Sequence, residues 1–168
     1  MNTVAFRSIV FFLLPFFTPL FASEFTSPAA EGIHVWKVVN AKLHVSETGL
    51  KVLAQVDQPR PVLKIADLKK TGEFVVKVSV KVTNPGSIGV AWHLNNEKVK
   101  GKRKSVYRKL KPSDKYQEVS LAVPVNGVAS NFEIIVPWGD CSIKSIEFSG
   151  GGSDLHWDFG AKDRGAVL

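Results

Sequence analysis

Cysteine is almost absent: Cys141 is the only one in 168 residues, so no internal disulfide can form and a disulfide-stapled scaffold is excluded. Histidine is sparse too. His34, His44, His93 and His156 are scattered, and neither the His-Glu-x-x-His nor the Cys-x-x-Cys spacing occurs to hold a metal. There is no Gly-x-Ser-x-Gly elbow and no glycine loop that could cradle phosphate. No segment of ten or more residues carries a convincing helical period, and "IADLKK" at 65–70 offers one turn at most. Internal repeats and low-complexity tracts are missing as well. These absences predict no catalytic residue, no metal and no cofactor, and they leave stability to an ordinary apolar core. Cys141 borders a strand and reads as a small buried hydrophobe rather than a nucleophile. One enzymatic alternative stays open, because the paired carboxylates of a glycosidase can lie far apart in a chain.

The longest apolar run, Ile9 to Phe21, follows a lone Arg7 and ends in small residues at Ala22 and Ser23. It is shorter than the ~20 residues a membrane-spanning helix needs, and Pro15 and Pro19 interrupt it. This is the layout of a cleaved signal peptide over residues 1–22, with cleavage near Ala22–Ser23 and a secreted or periplasmic destination. The mature chain then has no membrane span. Residues 23–32 read as an N-terminal tail without periodicity, and 160–168 as a C-terminal tail.

Between the tails the apolar period is two. In "EFVVKVSVKVT", Phe74, Val76, Val78, Val80 and Val82 fall on one face and Lys77, Ser79, Lys81 and Thr83 on the other, which marks a strand buried on one side. "IGVAWHL" has Ile88, Val90, Trp92 and Leu94 in phase. Further strands are predicted at 33–39, 42–46, 50–55, 62–66, 117–124, 131–136, 141–148 and 154–159. Glu47-Thr48-Gly49 makes a hairpin turn, and a phase slip in "CSIKSIEF" predicts a bulge. About ten short strands between turns predict an all-β fold, a single sandwich domain over 33–159. Trp92 and Trp157 are in phase with core residues, and Trp36 leans the same way. Trp138, in the loop "PWGD", is instead a stacking surface for a sugar or an interface anchor.

Acidic residues are missing where basic ones crowd. The stretch 97–111, "EKVKGKRKSVYRKLK", holds Lys98, Lys100, Lys102, Arg103, Lys104, Arg108, Lys109 and Lys111 against one Glu. Its net charge of +7 exceeds the +6 of the whole mature chain, so the basic character is local. A local positive field recognises polyanions. Nucleic acid is the usual partner inside a cell, whereas an exported protein meets acidic or sulfated polysaccharide. As an edge strand, the stretch is expected to project Lys98, Lys100, Lys102, Lys104 and Arg108 on one side, interrupted near Gly101. Edge lysines also block edge-to-edge aggregation. Gly89, Ala91 and His93 form the outward face of their strand and predict a shallow trough beside Lys77, Ser79 and Lys81.

The order of elements carries a resemblance. Trp36 opens it, "LHVSETGLKVLAQVDQP" follows, and Gly89 to Trp92 give a "GVAW" strand. "YQEVSLAVP", "FEIIVPWGD", "IKSIEF" and "HWDF" close it. Across 33–159 the chain resembles the galactose-binding-like, carbohydrate-binding-module-like β-sandwiches of secreted bacterial proteins, including those appended to sulfatases. The resemblance implies a jelly-roll-type sandwich with a binding role and no catalysis. Many relatives carry an Arg in the strand before the Pro turn, where this chain has Glu133 and Ile135. The expected function is an exported, non-catalytic binding module for acidic polysaccharide or another extracellular polyanion. A protein that docks to an envelope partner is the alternative, and an unrecognised hydrolase the second.

Overall fold

The computed structural model describes residues 23–29, 32–55, 57–65, 68–94, 103–152 and 154–160. Strands are numbered in chain order. Sheet A runs from edge to edge as β1 (Ser23–Ala29), β2 (Gly32–Val39), β5 (Val62–Ile65), β11 (Val128–Ile135), β8 (Gly86–Leu94) and β9 (Lys104–Leu110), with β6 (Lys70–Thr71) also on β11. Sheet B runs as β10 (Gln117–Val123), β7 (Phe74–Val82), β12 (Asp140–Gly150), β4 (Gly49–Ala54) and β3 (Ala41–Ser46), with β13 (Leu155–Asp158) also on β12. Every pairing is antiparallel. The fold is an all-β sandwich, and the described residues include no helix.

Strict alternation builds the core. Phe74, Val76, Val78, Val80 and Val82 of β7 are all buried, while the residues between them face out. From sheet A, Trp36, Leu63, Ile88, Val90, Trp92 and Ile134 meet them across the interface. An aromatic cluster joins the layers. Phe148 of β12 lies 5.6 Å from Phe132 of β11 and 5.6 Å from Trp157 of β13, and Trp157 lies edge-on to Trp36 at 5.1 Å. Edge-to-face packing suits the ring quadrupoles and adds about 0.5–1.5 kcal/mol per pair beyond the area buried.

Most expected features are present. Trp36, Trp92 and Trp157 are core, and Trp138 is 51% exposed. Ser46 pairs with Gly49 across the two-residue turn at Glu47 and Thr48. The register of β12 shifts between Ile143 and Ser145, which is the bulge the phase slip predicted. Cys141 is buried, and burial first, then the nearby Asp140 charge, push its thiol up to about 12.

Three expectations are corrected. The stretch read as an N-terminal tail forms β1, which adds an edge strand to β2; pairing to an existing edge needs no apolar period in the added strand. "IADLKK" ends not in a helical turn but in β6, whose Lys70 pairs with Ala129; residues 66–67 lie outside the described residues. Lys77, Ser79 and Lys81 do not flank the Gly89 trough. They lie on β7 in sheet B, and β8 belongs to sheet A, so the two rows look out of opposite faces. Residues 1–22 and 161–168 lie outside the described residues.

Candidate functional site

The outer face of sheet A is organised by its register. One row crosses six strands as Glu24, Lys37, Lys64, Glu133, Ala91 and Ser105. The next row crosses as Val39, Val62, Ile135, Gly89 and Tyr107. Gly89 is needed here because a Cβ at that position would sit 2.4 Å from Cδ1 of Tyr107. The phenol ring therefore lies across bare backbone, 46% exposed. Arg60 pins it from the other side. Its guanidinium is 5.7 Å from the ring centroid and donates to the carbonyl and hydroxyl of Ser87.

A bulge shapes the middle of this face. The β11–β8 register shifts between Ser130 and Glu133, and Asn131 takes a left-handed conformation with φ of 53°. Asn tolerates that region better than most residues, and bulges recur where a strand must re-aim side chains. Beside it opens a trough of about 390 Å³, lined by Lys37, Lys64, His93, Asn131 and Glu133, with Ile65 and Phe132 also in its wall. The Glu133 side chain is only 11% exposed, and it accepts from Lys64 at 2.9 Å and from Arg103 at 2.5 Å. Burial is the largest influence on its carboxyl and raises its pKa. The Lys64 hydrogen bond and the Arg103 and Lys64 charges together outweigh burial and hold the carboxyl below the usual range. The carboxylate fixes two cations that keep spare donors, since an ammonium has three N–H groups and a guanidinium five.

The residues picked out in the sequence divide between places. Lys98, Lys100 and Lys102 lie outside the described residues. Arg103 reaches the trough. β9 is the edge strand of sheet A, and of the expected row Lys104 and Arg108 do share one side of it. Val106 and Leu110 turn toward the core, so Lys104 and Arg108 lie on that side of the strand, while Lys109 shares the outer side with Tyr107. Arg103, Lys104, Arg108, Lys109 and Lys111 are all exposed. His93 lines the trough. Lys77 pairs with Glu147 at 3.1 Å on the opposite face, and Lys81 lies over the Tyr116 ring there. Trp138 projects from the β11–β12 loop.

Lys37, Arg60, Lys64, Tyr107, Asn131 and Glu133 were not expected in a site. One signal was available: Glu133 interrupts the apolar run of "FEIIVP", and a charge inside a strand buried on both faces calls for partners. Lys64 and Arg103 are not inferable from neighbours in sequence. Among the described residues no three His, Cys, Asp or Glu side chains gather closely enough to hold a metal.

No protein-family model matches the chain, and no curated protein matches it. Among solved structures it is similar to the CBM22-1–GH10 modules of an N-terminal endo-1,4-β-D-xylanase from Clostridium thermocellum, complexed with xylohexaose, at 14% identity and a TM-score of 0.48. The likeness is one of fold. It covers 73% of this chain and 24% of the xylanase chain.

Proposed function

We propose that this chain is an exported, non-catalytic β-sandwich that binds acidic polysaccharide on the outer face of sheet A. The observation that carries the reading is Glu133, held between Lys64 and Arg103 at one end of a trough, with the exposed ring of Tyr107 in the neighbouring row of the same face. Strand spacing separates Glu133 from Tyr107 by about 10 Å across the sheet and about 7 Å along it, so a bound chain can meet both. The ring offers an apolar face for a sugar. The spare donors of Lys64 and Arg103 suit a uronate carboxylate or a sulfate, with the geometry already set before binding. Arg103 leads directly into β9, whose cations extend the positive field to the sheet edge.

The test is chromatography on heparin and polygalacturonate beside neutral dextran, in a rising salt gradient. Retention on the acidic resins alone, weakened by Lys64→Gln with Arg103→Gln, supports the reading; equal indifference to all three resins ends it. Export is tested by sequencing the N-terminus of protein recovered outside the cytoplasm, where a start at or next to Ser23 is expected. A second reading, docking to an envelope protein, draws on Trp138, which is exposed and absent from the trough lining. Cross-linking through a photoreactive group at position 138 separates the two. Capture of one defined protein together with indifference to glycans favours docking.

A further inference from the structure

The outer face of sheet B has a different chemistry. Tyr116 lies just before β10, where the register sets it opposite Lys81, and the Lys81 ammonium is 5.6 Å from its ring centroid. Its hydroxyl donates to the carbonyl of Thr48 at 2.6 Å and so ties this segment to the β3–β4 turn. Gly49 leaves the room for that contact, because a Cβ there would lie 2.6 Å from the Ile143 carbonyl oxygen and 3.1 Å from the phenol oxygen. Two depressions, of about 430 and 460 Å³, share Thr48 as a wall. The first is lined by hydroxyls from Ser46, Thr48, Thr83, Ser113 and Ser142. Its Lys51 and Lys81 are matched by Asp114 and Asp140, with Lys51 and Asp140 3.6 Å apart. The second takes Tyr116, Lys144, Glu47 and Asp158. Lys144 comes from the β12 bulge, between Ile143 and Ser145.

Three lysines here face four carboxylates, a net of −1, whereas on sheet A three cations (Lys37, Lys64 and Arg103) share a row or contact with two carboxylates, Glu133 and the Glu24 that the register sets opposite Lys37, a net of +1. A surface with balanced or slightly negative charge offers a polyanion no net attraction. Dense hydroxyls, paired charges and a fixed aromatic ring instead match the many donors and acceptors and the apolar ring faces of uncharged sugars. We propose that the outer face of sheet B around Tyr116 is a second site, specific for neutral sugar residues. The sandwich then joins an acidic chain on one face to a neutral chain on the other. This rests on the reading of the chain as a glycan-binding sandwich, but on none of the residues of the sheet A trough.

The experiment measures binding of labelled xylohexaose, cellohexaose and mannohexaose in about 1 M NaCl, where the Debye length is about 3 Å and long-range attraction is screened. At least one hexaose is expected to bind, and Tyr116→Ala is expected to weaken it by about tenfold or more, as for other buried aromatic anchors. Tyr116 also ties two loops, so a second variant, Asp114→Ala with Lys144→Ala, removes exposed side chains without touching the core. It too should weaken the hexaose while heparin retention stays unchanged. Lys64→Gln with Arg103→Gln should do the reverse. The proposal is overturned if no hexaose binds, if the Asp114 and Lys144 variant leaves binding intact, or if the sheet A variant abolishes it. If the unsubstituted chain is not retained on heparin but still binds a hexaose, the acidic reading falls and this one stands.

Discussion

The guanidinium of Arg103 reaches the carboxylate of Glu133, 2.5 Å away, across strand β8. Arg103 precedes edge strand β9, Glu133 sits on β11, and Ala91 is the β8 residue paired with Glu133 between them. The pair is therefore a strap across three strands.

Replacing Glu133 with Gln tests the strap through pH. The folded-state pKa of Glu133 is lowered, so its ionic contribution is fully present above the unfolded value of about 4.3. It is lost as pH falls through the lower folded value. Denaturant unfolding should show Glu133→Gln less stable than wild type at neutral pH, with the gap closing below about pH 4. A gap independent of pH contradicts the assignment.

Tyr107 and Gly89 form the second test. The exposed Tyr107 ring contributes little to folding, so Tyr107→Ala should shift stability by no more than about 1 kcal/mol. It should still weaken acidic-glycan retention. Gly89→Ala drives a methyl group into the ring, and it should reproduce the binding loss in a protein that keeps Tyr107.

Alternation along β9 divides its cations into two sets. Lys109→Ser with Lys111→Ser should elute earlier from heparin, because Lys109 shares the outer side with Tyr107. Lys104→Ser with Arg108→Ser should change retention less and raise aggregation on heating. Neither pair should alter the unfolding free energy by more than about 1 kcal/mol per charge removed. Equal retention losses from the two pairs would mean that the edge acts as an undirected field.

Cys141 should resist modification. With its thiol pushed up to about 12 and its side chain 2% exposed, almost no thiolate is present or accessible near pH 8. Iodoacetamide should label it slowly in the native state and quickly in denaturant. Fast native labelling refutes the buried assignment.

Phe148 is fully buried among Phe74, Phe132 and Trp157. Truncation to Ala leaves a void between the sheets and should cost about 3–5 kcal/mol by denaturant titration. A cost under about 1 kcal/mol means that the aromatic cluster does not bind the layers together.

The strands were legible in the sequence because their signal is local. In "EFVVKVSVKVT", each Val differs from its neighbours in burial, and alternation reports that directly. The site was less legible because it is assembled by pairing. Lys64, Glu133 and Arg103 come from three strands or strand ends far apart in the chain, and only the register brings them together. The same blindness placed Lys77 and Lys81 beside Gly89. Period-two patterning says that a residue faces out, but not out of which sheet. β1 escaped notice because "SEFTSPA" has no alternation to read, and its placement comes from the edge that β2 presents.

β11 and β12 lie at the centre of the two sheets, and both come from the last third of the chain. Without β11, nothing joins β5 to β8; without β12, nothing joins β7 to β4. A growing chain that ends before Val128 therefore holds four unconnected fragments: β1-β2-β5, β8-β9, β10-β7 and β3-β4. Small, separate strand groups of this kind are marginal in water. Such long-range closure also makes folding slow. Neither sheet can therefore close until β11 and β12 have been made.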